Sequence, residues 1–225
     1  MTHRLVMWDI DYTLLRSGGV AGQAWRTAFT AVTGVAWRID PDFAGRTDLS
    51  LCAEVFDSHG VTGCTPERFF ARYVEEVHGS RHLFAARGAL MPGVPAVLAA
   101  LAARDDVVQT LVTGNVPQVA AAKIEAFGLT DAFDASVGGY GTDDTVRETL
   151  VRRSRSRAEA KYGRSLRPVV VGDTHHDVAG ALAADARAVA VATGSVPAAA
   201  LHTAGAHAVL PDLSDVDAAV AAILG

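Results

Sequence analysis

Three short polar side chains follow the first strongly apolar stretch of the sequence. The run Leu5–Trp8 is entirely apolar, and Asp9, Asp11 and Thr13 come directly after it at alternate positions. Such a run is typical of a strand buried on both faces within a parallel sheet. Two carboxylates this close repel each other unless a cation lies between them or one of them holds a proton. A reaction that needs a nucleophile, a metal ion and an acid could use both carboxylates.

Two later apolar segments, residues 107–112 and 168–171, also end in short polar side chains. Those side chains are Thr113, Asn115, Asp173 and Asp177. Each group alone could simply cap a helix or form a turn, as could the first acids. Because ligands of open α/β sheets bind at the carboxyl ends of the strands, the three groups together predict one site at one sheet edge.

The remaining sequence predicts how these groups are positioned. Residues 16–88 contain helical patterns only, at Val20–Thr33, Asp48–His59 and Thr65–His78, each followed by glycine. Thr47 and Thr65 are predicted to cap the second and third of these helices. From Leu90 onwards strand and helix patterns alternate, with a short strand predicted at Ala135–Val137. We therefore predict an α/β fold, a doubly wound parallel sheet with a Rossmann-like core formed by 1–15 and 89–225, and an inserted all-helical cap at 16–88.

Composition limits the classes of function. The chain has 225 residues and a net charge of -5, which gives no general reason to expect nucleic acid or an anionic membrane as a partner. The first apolar run is too short for a signal peptide, and no apolar run is long enough to cross a bilayer. Two cysteines do not form a disulfide framework, so we expect a cytoplasmic protein.

Three motifs, in their order and spacing, resemble those of the haloacid dehalogenase-like hydrolase superfamily. They are Asp9-Ile10-Asp11-Tyr12-Thr13, Thr113-Gly114-Asn115 and Gly172-Asp173-Thr174-His175-His176-Asp177. The helical segment between the first motif and Pro92-Gly93-Val94 resembles the small cap of that superfamily. The resemblance covers nearly the whole chain and is greatest to the phosphoglycolate phosphatase-like branch.

The resemblance implies a role for each matching residue. Asp9 would attack phosphorus and form an aspartyl-phosphate. Asp11 would protonate the leaving alcohol and then deprotonate the attacking water. Thr113 would donate a hydrogen bond to a phosphoryl oxygen, and the neighbouring Gly114 and Asn115 would contact the substrate.

A magnesium ion is also implied by the resemblance. Asp9, Asp173 and the backbone carbonyl of Asp11 would hold Mg²⁺, which favours oxygen ligands and a substrate phosphate. Asp177 would lie beside the ion or bind it directly. The pair His175-His176 could suggest a transition metal, but adjacent histidines on a turn do not easily share one ion, so an exposed loop pair is the preferred interpretation.

The sequence departs from the superfamily in two places. The cation on the phosphate is usually a lysine ahead of the last motif, whereas here the candidates are Lys123 and Arg147. Lys123 lies roughly 10 Å along its predicted helix, so we favour Arg147, which lies in the first turn of the next helix. Tyr12 replaces the usual glycine, which leaves the geometry of that loop open.

Asp11 bears on the class of reaction. Halide departure needs no proton, whereas departure of an alkoxide does, so a phosphatase is favoured over a dehalogenase. We predict a Mg²⁺-dependent hydrolase of a small phosphorylated metabolite. The alternatives are a sugar-phosphate mutase and a catalytically silent protein that binds a phosphorylated ligand. Arg46, ahead of a predicted helix in the cap, is either a turn residue or a contact to an anionic part of the substrate.

Overall fold

Five parallel strands form the main sheet of the computed structural model, which describes residues 3–225. In spatial order they are β4 (Val107–Leu111), β1 (Arg4–Trp8), β5 (Arg167–Gly172), β6 (Arg187–Val191) and β7 (Ala208–Leu210). The register aligns Trp8 with Leu111 on one side and with Val171 on the other. The three strands that precede the polar motifs therefore end at the same level.

Helices cover both faces of this sheet. They are α5 (Val94–Ala102), α6 (Pro117–Ala126), α7 (Arg147–Tyr162), α8 (His175–Ala183), α9 (Ala198–Thr203) and α10 (Val216–Leu224). Side chains of β1 alternate between the faces: Val6 and Trp8 pack with α5 and α10, while Leu5 and Met7 pack with α7 and α8. The doubly wound α/β fold predicted from the sequence is confirmed. No helix within residues 3–225 is long and apolar enough to cross a membrane.

Four further helices are inserted after β1. They are α1 (Val20–Thr33), α2 (Asp48–Ser58), α3 (Pro66–Ser80) and α4 (His82–Arg87). They share an apolar cluster that includes Trp25, Phe29 and Phe69. Val119 of α6 and Val116, the residue before that helix, join the same cluster. The insertion thus packs directly on one helix of the sheet. The division of the chain into two domains at residues 16–88 stays a prediction.

The chain enters and leaves the inserted helices through a two-stranded ribbon. β2 (Leu15–Arg16) pairs antiparallel with β3 (Ala89–Leu90), so the two crossings lie side by side. Gly18 has a φ of 59°, and a Cβ there would lie 2.5 Å from the Arg87 backbone, so only glycine fits this crossing. The sequence predicted glycines at the crossings but neither the ribbon nor α4.

Three predicted details can be compared with the structure. Thr47 and Thr65 cap α2 and α3 as predicted, accepting hydrogen bonds from the Ser50 and Arg68 N–H groups at 3.2 Å and 3.4 Å. The predicted strand at Ala135–Val137 is wrong, because this segment is a 3₁₀ turn. The Asp134 carboxylate accepts the Ser136 N–H at 3.2 Å, which favours a turn over an extended chain.

Candidate active site

A cavity of about 700 Å³ lies where the sheet edge meets the inserted helices. The sheet side of its lining includes Asp9, Asp11, Thr113, Gly114, Asn115, Lys123, Arg147 and Asp173. The inserted side includes Trp25, Phe43, Arg46, Asp48, Leu51 and Tyr73. The candidate site residues from the three motifs therefore meet at one cavity, except that Asp177 lies just behind its lining.

Three buried carboxylates crowd the ends of β1 and β5. Oxygen atoms of Asp9, Asp173 and Asp177 lie within 4.8 Å of one another, and each side chain is nearly fully buried. Burial, the Arg147 guanidinium and the neighbouring acids leave the pKa of Asp9 at about 7, with burial the largest cause and Arg147 opposing it. Burial, followed by the charges of Asp9 and Asp177, raises the pKa of Asp173 to about 8. The cluster is thus short of positive charge.

Arg147 is the cation in contact with this cluster. It is the first residue of α7, and its Nη2 donates to Asp9 Oδ1 at 2.6 Å and pairs with Asp177 Oδ1. Its Nη1 donates to the carbonyl of Gly45 in the insertion at 3.3 Å. Its Nε is buried and has no hydrogen-bond partner within residues 3–225. One donor of the guanidinium is therefore buried without a partner among these residues.

Asp177 has a second function at the start of α8. Its Oδ2 accepts hydrogen bonds from the Thr174 N–H at 3.0 Å and the Thr174 hydroxyl at 2.7 Å. The Thr174 hydroxyl in turn accepts the Asp177 N–H at 3.3 Å, which completes a capping box. Asp177 is thereby held rigidly against Arg147. His175 is exposed and His176 partly so, but the pair lies in the first turn of α8, so the predicted exposed loop is wrong.

Lys123 lies in a second network around Asp11. Its Nζ donates to Asp11 Oδ2 at 2.6 Å, to Asp11 Oδ1 at 2.8 Å and to Asn115 Oδ1 at 2.7 Å. Asn115 Nδ2 donates to Asp11 Oδ2 at 2.9 Å and to Thr113 Oγ1 at 2.7 Å. The Asp11 side chain is 35 % exposed and also lines the cavity. The two candidate cations therefore contact different carboxylates, Arg147 at Asp9 and Lys123 at Asp11.

The donor set fits a divalent cation. Three buried carboxylates face a single guanidinium, so full ionisation of the three would leave two negative charges unbalanced. Buried charges are costly unless they are paired, and a carboxylate cluster of this kind suits a hard, oxygen-bound ion such as Mg²⁺. Thr13 Oγ1 donates to Asp173 Oδ1 at 3.2 Å and orients that carboxylate. Thr13 follows Asp9 at spacing four, which is the signal that ties it to the site.

A short segment of the insertion, Gly45–Leu49, is fixed to the sheet edge by backbone contacts. The Asp48 N–H donates to the Gly114 carbonyl at 2.7 Å, and the Leu49 N–H donates to the Gly141 carbonyl at 3.2 Å. A Cβ on Gly114 would lie 1.9 Å from the Arg46 carbonyl oxygen, so only glycine permits this approach. The Arg46 side chain lines the cavity but forms an ion pair with Glu54.

Asp48 is a buried acid in this segment that the sequence reasoning missed. Its Oδ2 accepts the Val116 N–H at the start of α6 at 2.8 Å. Burial raises the pKa of Asp48 to about 7, a rise that the Val116 N–H and Lys123 oppose and the Asp11 charge increases. Burial, and after it the Asp48 charge, raises the pKa of the Tyr73 phenol. Only its place behind a capping threonine distinguished Asp48 in the sequence.

Replacing Asp48 with asparagine should remove a pH-dependent loss of stability. The unfolded chain releases this proton near pH 4 and the folded chain near pH 7, so wild-type stability falls between these values as the pH rises. Relative to wild type, the free energy of unfolding of Asp48→Asn should therefore increase across this window, by at most about 4 kcal/mol. Urea unfolding at pH 5 and pH 8 measures it, with Asp105→Asn at an exposed position as the control. A difference that does not change with pH would contradict the assignment.

Tyr12 adopts a backbone conformation that residues other than glycine rarely adopt. Its φ is 60°, in the left-handed region, which explains why glycine suits this position. Its side chain is 52 % exposed and lies at the cavity, and its carbonyl accepts a hydrogen bond from the Thr193 hydroxyl. The loop geometry that the sequence left open therefore keeps the glycine-like turn and places an aromatic ring at the cavity.

Comparison with solved structures supports the fold. A predicted phosphatase from Clostridium acetobutylicum is 18% identical, with a TM-score of 0.71 over 100% of this chain and 99% of that chain. A β-phosphoglucomutase-like protein from Bacteroides vulgatus is 18% identical, with a TM-score of 0.68 over 99% and 89% of the two chains. CbbY from Rhodobacter sphaeroides, solved with phosphate, is 18% identical, with a TM-score of 0.67 over 96% of each chain. At these identities the likeness concerns the fold.

A family model agrees with the last motif. Residues 148–216, which include β5, the motif from Gly172 to Asp177 and β6, match the model described as HAD-hydrolase-like. A search among curated proteins found no match to the sequence. The family match and the structural neighbours point to the same group of proteins. The resemblance of this chain to the haloacid dehalogenase-like hydrolases, predicted from its three motifs, is thereby confirmed.

Proposed function

We propose that this protein is a Mg²⁺-dependent phosphatase that hydrolyses a small phosphorylated metabolite through an aspartyl-phosphate on Asp9. One observation carries the proposal: Asp9, directly after β1, lies beside Asp173 and the Arg147 guanidinium in a cavity that Asp11 also lines. A carboxylate nucleophile, a cation and an acid therefore surround one space large enough for a metabolite.

In the first step, Asp9 attacks the phosphorus atom of the ester. The Asp9–phosphorus bond forms as the bond to the leaving alcohol breaks, and the protonated Asp11 carboxyl gives its proton to the departing oxygen. Arg147 and the Thr113 hydroxyl would hold the phosphoryl oxygens by hydrogen bonds while negative charge builds on them. When bound to Asp9, Asp173 and the Asp11 carbonyl, Mg²⁺ would neutralise part of that charge.

In the second step, water attacks the aspartyl-phosphate. The Asp11 carboxylate takes a proton from the water as the new oxygen–phosphorus bond forms and the bond to Asp9 breaks. Phosphate leaves, Asp9 is restored as a carboxylate, and Asp11 is again protonated. Asp11 therefore returns to its starting state, and the reaction needs no reactant other than water.

The inserted helices would select the leaving group. The strand-end residues surround only the phosphoryl group, so recognition of the alcohol falls to the opposite wall, which includes Trp25, Phe43 and Tyr73. Gly114 and Asn115 would contact the substrate at the junction. Arg46 would reach an anionic substrate group only after releasing Glu54, an exposed pair of little energetic weight. A cytoplasmic location stays a prediction.

Removal of divalent metal should abolish activity. Chelation should stop phosphate release from an aryl phosphate and from a panel of phosphorylated metabolites, and Mg²⁺ should restore it, whereas Ca²⁺ should restore little because its shell is larger and looser. Full activity after exhaustive chelation would contradict the metal assignment. A sugar-phosphate mutase would instead isomerise a sugar phosphate with little release of phosphate, and a silent binding protein would release none from any substrate.

A further inference from the structure

Lys123 is buried beside Asp11, where the proposed reaction needs a base. The side chain is 2 % exposed, although lysine is almost never fully buried unless it is paired. It lies on α6, and helical side chains point towards the amino terminus of their helix, so its long chain reaches back to the sheet edge. Because the backbone of Lys123 lies far along α6, its position in the sequence did not reveal that its side chain reaches the sheet edge.

The geometry around Nζ suits an ammonium group. Its three N–H donors match the three acceptors within 2.8 Å, namely both oxygens of Asp11 and the side-chain oxygen of Asn115. A planar guanidinium suits the two oxygens of one carboxylate, but it does not offer three donors from a single nitrogen. Only Lys123 and Lys161 are lysines among the 20 basic residues of the sequence. The hydrogen bonds at this buried position therefore explain why it holds a lysine, although arginine is the usual basic residue of this chain.

Asn115 fixes the rest of the carboxylate. Because Lys123 has only donors to offer, Asn115 must turn its oxygen to Lys123 and its amide nitrogen to Asp11 and Thr113. Asp11 Oδ2 thus receives two hydrogen bonds and Oδ1 receives one. The arrangement holds the Asp11 carboxylate in one orientation beside the cavity.

We propose that Lys123 is a positioning residue for the hydrolysis step, holding the Asp11 carboxylate as the base that takes a proton from the attacking water. The inference rests on the proposed function and deepens it. It assigns Lys123 to Asp11, whereas the phosphoryl oxygens belong to Arg147. Loss of Lys123 should therefore slow the breakdown of the aspartyl-phosphate and leave its formation from an activated ester unchanged.

An aryl phosphate with a very good leaving group separates the two steps. With 2,4-dinitrophenyl phosphate the departing oxygen needs no proton, so kcat/KM reports formation of the aspartyl-phosphate and kcat reports its hydrolysis when hydrolysis is slow. Lys123→Met should lower kcat on the order of tenfold to a hundredfold, lower KM by the same factor and leave kcat/KM unchanged. Acid-quenched samples should contain more phosphoenzyme at steady state than wild type does.

Matched variants identify the cause of the kinetic change expected in Lys123→Met. Lys161→Met removes the other lysine, an exposed partner of Asp134, and should change neither constant. Lys123→Arg retains the charge without the three convergent donors and should also accumulate phosphoenzyme, which keeps the test valid if Lys123→Met does not fold. In an Asp11→Asn background, Lys123→Met should cause no further loss in kcat, because the two residues act as a unit.

Three results would overturn the inference. An equal fall in kcat and kcat/KM without phosphoenzyme accumulation would make Lys123 a phosphate-binding or structural residue. Unchanged kinetics in both Lys123 variants would give it no part in the reaction. If the wild-type protein neither hydrolyses the aryl phosphate nor forms a phosphoenzyme, the proposed function is wrong and this inference falls with it. That result differs from the other two, in which the wild-type protein is active.

Discussion

Asp9→Asn is expected to abolish turnover while leaving the protein folded. An amide is a poor nucleophile, so formation of the covalent intermediate should fall by about 10⁴-fold or more. Asparagine has nearly the same shape and carries no charge, and it relieves a buried cluster whose crowding contributes to the raised pKa of Asp9. We therefore expect the melting temperature of metal-free Asp9→Asn at neutral pH to equal or exceed that of wild type.

The measurement compares phosphate release with thermal unfolding in the same preparations. Asp105→Asn, an exchange of the same kind at an exposed position, should match wild type in both. Turnover of Asp9→Asn close to wild type would remove Asp9 from the role of nucleophile. Loss of the folded state together with turnover would show instead that the Asp9–Arg147 pair is mainly structural.

Arg147→Ala is expected to have the second largest effect. The guanidinium contacts the nucleophile and has one unpartnered donor, so its removal should lower kcat/KM for an aryl phosphate about 10² to 10³-fold. The change also leaves Asp9 and Asp177 without their cation, and we expect a loss of stability in metal-free protein of about 3–5 kcal/mol. Steady-state kinetics and urea unfolding measure the two effects.

One variant separates charge from geometry at Arg147, and a second variant, at Arg152, is its control. Arg147→Lys should recover part of kcat/KM, because an ammonium can approach Asp9 but cannot also reach the Gly45 carbonyl. Arg152→Ala, an exposed residue of the same helix, should leave both measurements near wild type. The assignment of the two cations fails if kcat/KM survives the loss of Arg147 and falls with the loss of Lys123.

The strand ends of the site could be predicted because they depend on local pattern. A buried strand followed by Asp9 and Asp11 needs only the apolar run before it and the alternation after it. Parallel pairing then places Thr113 and Asp173 at the same edge, and the register of β4, β1 and β5 confirms that placement. The helices were predictable in the same way, from capping residues and terminal glycines.

Contacts that join distant segments could not be predicted. The pairing of Lys123 with Asp11 depends on the path of a long side chain across a helix, and sequence position alone placed it too far away. The bond from the Val116 N–H to Asp48 depends on how the insertion docks on α6. The ribbon of β2 and β3 consists of two residues per strand, too short for any periodic signal. In each case the contact depends on tertiary packing, which local sequence propensities do not reveal.

Direct capture of the phosphoryl group on Asp9 tests the central claim. Asp11→Asn, which lacks the base for hydrolysis, is mixed with 2,4-dinitrophenyl phosphate and Mg²⁺, quenched in acid within the first turnover and digested for mass spectrometry. We predict one phosphoryl group on the peptide that contains Asp9, and none on that peptide in the Asp9→Asn variant. Rapid release of dinitrophenol with no phosphoryl group on Asp9 at any quench time would contradict the account.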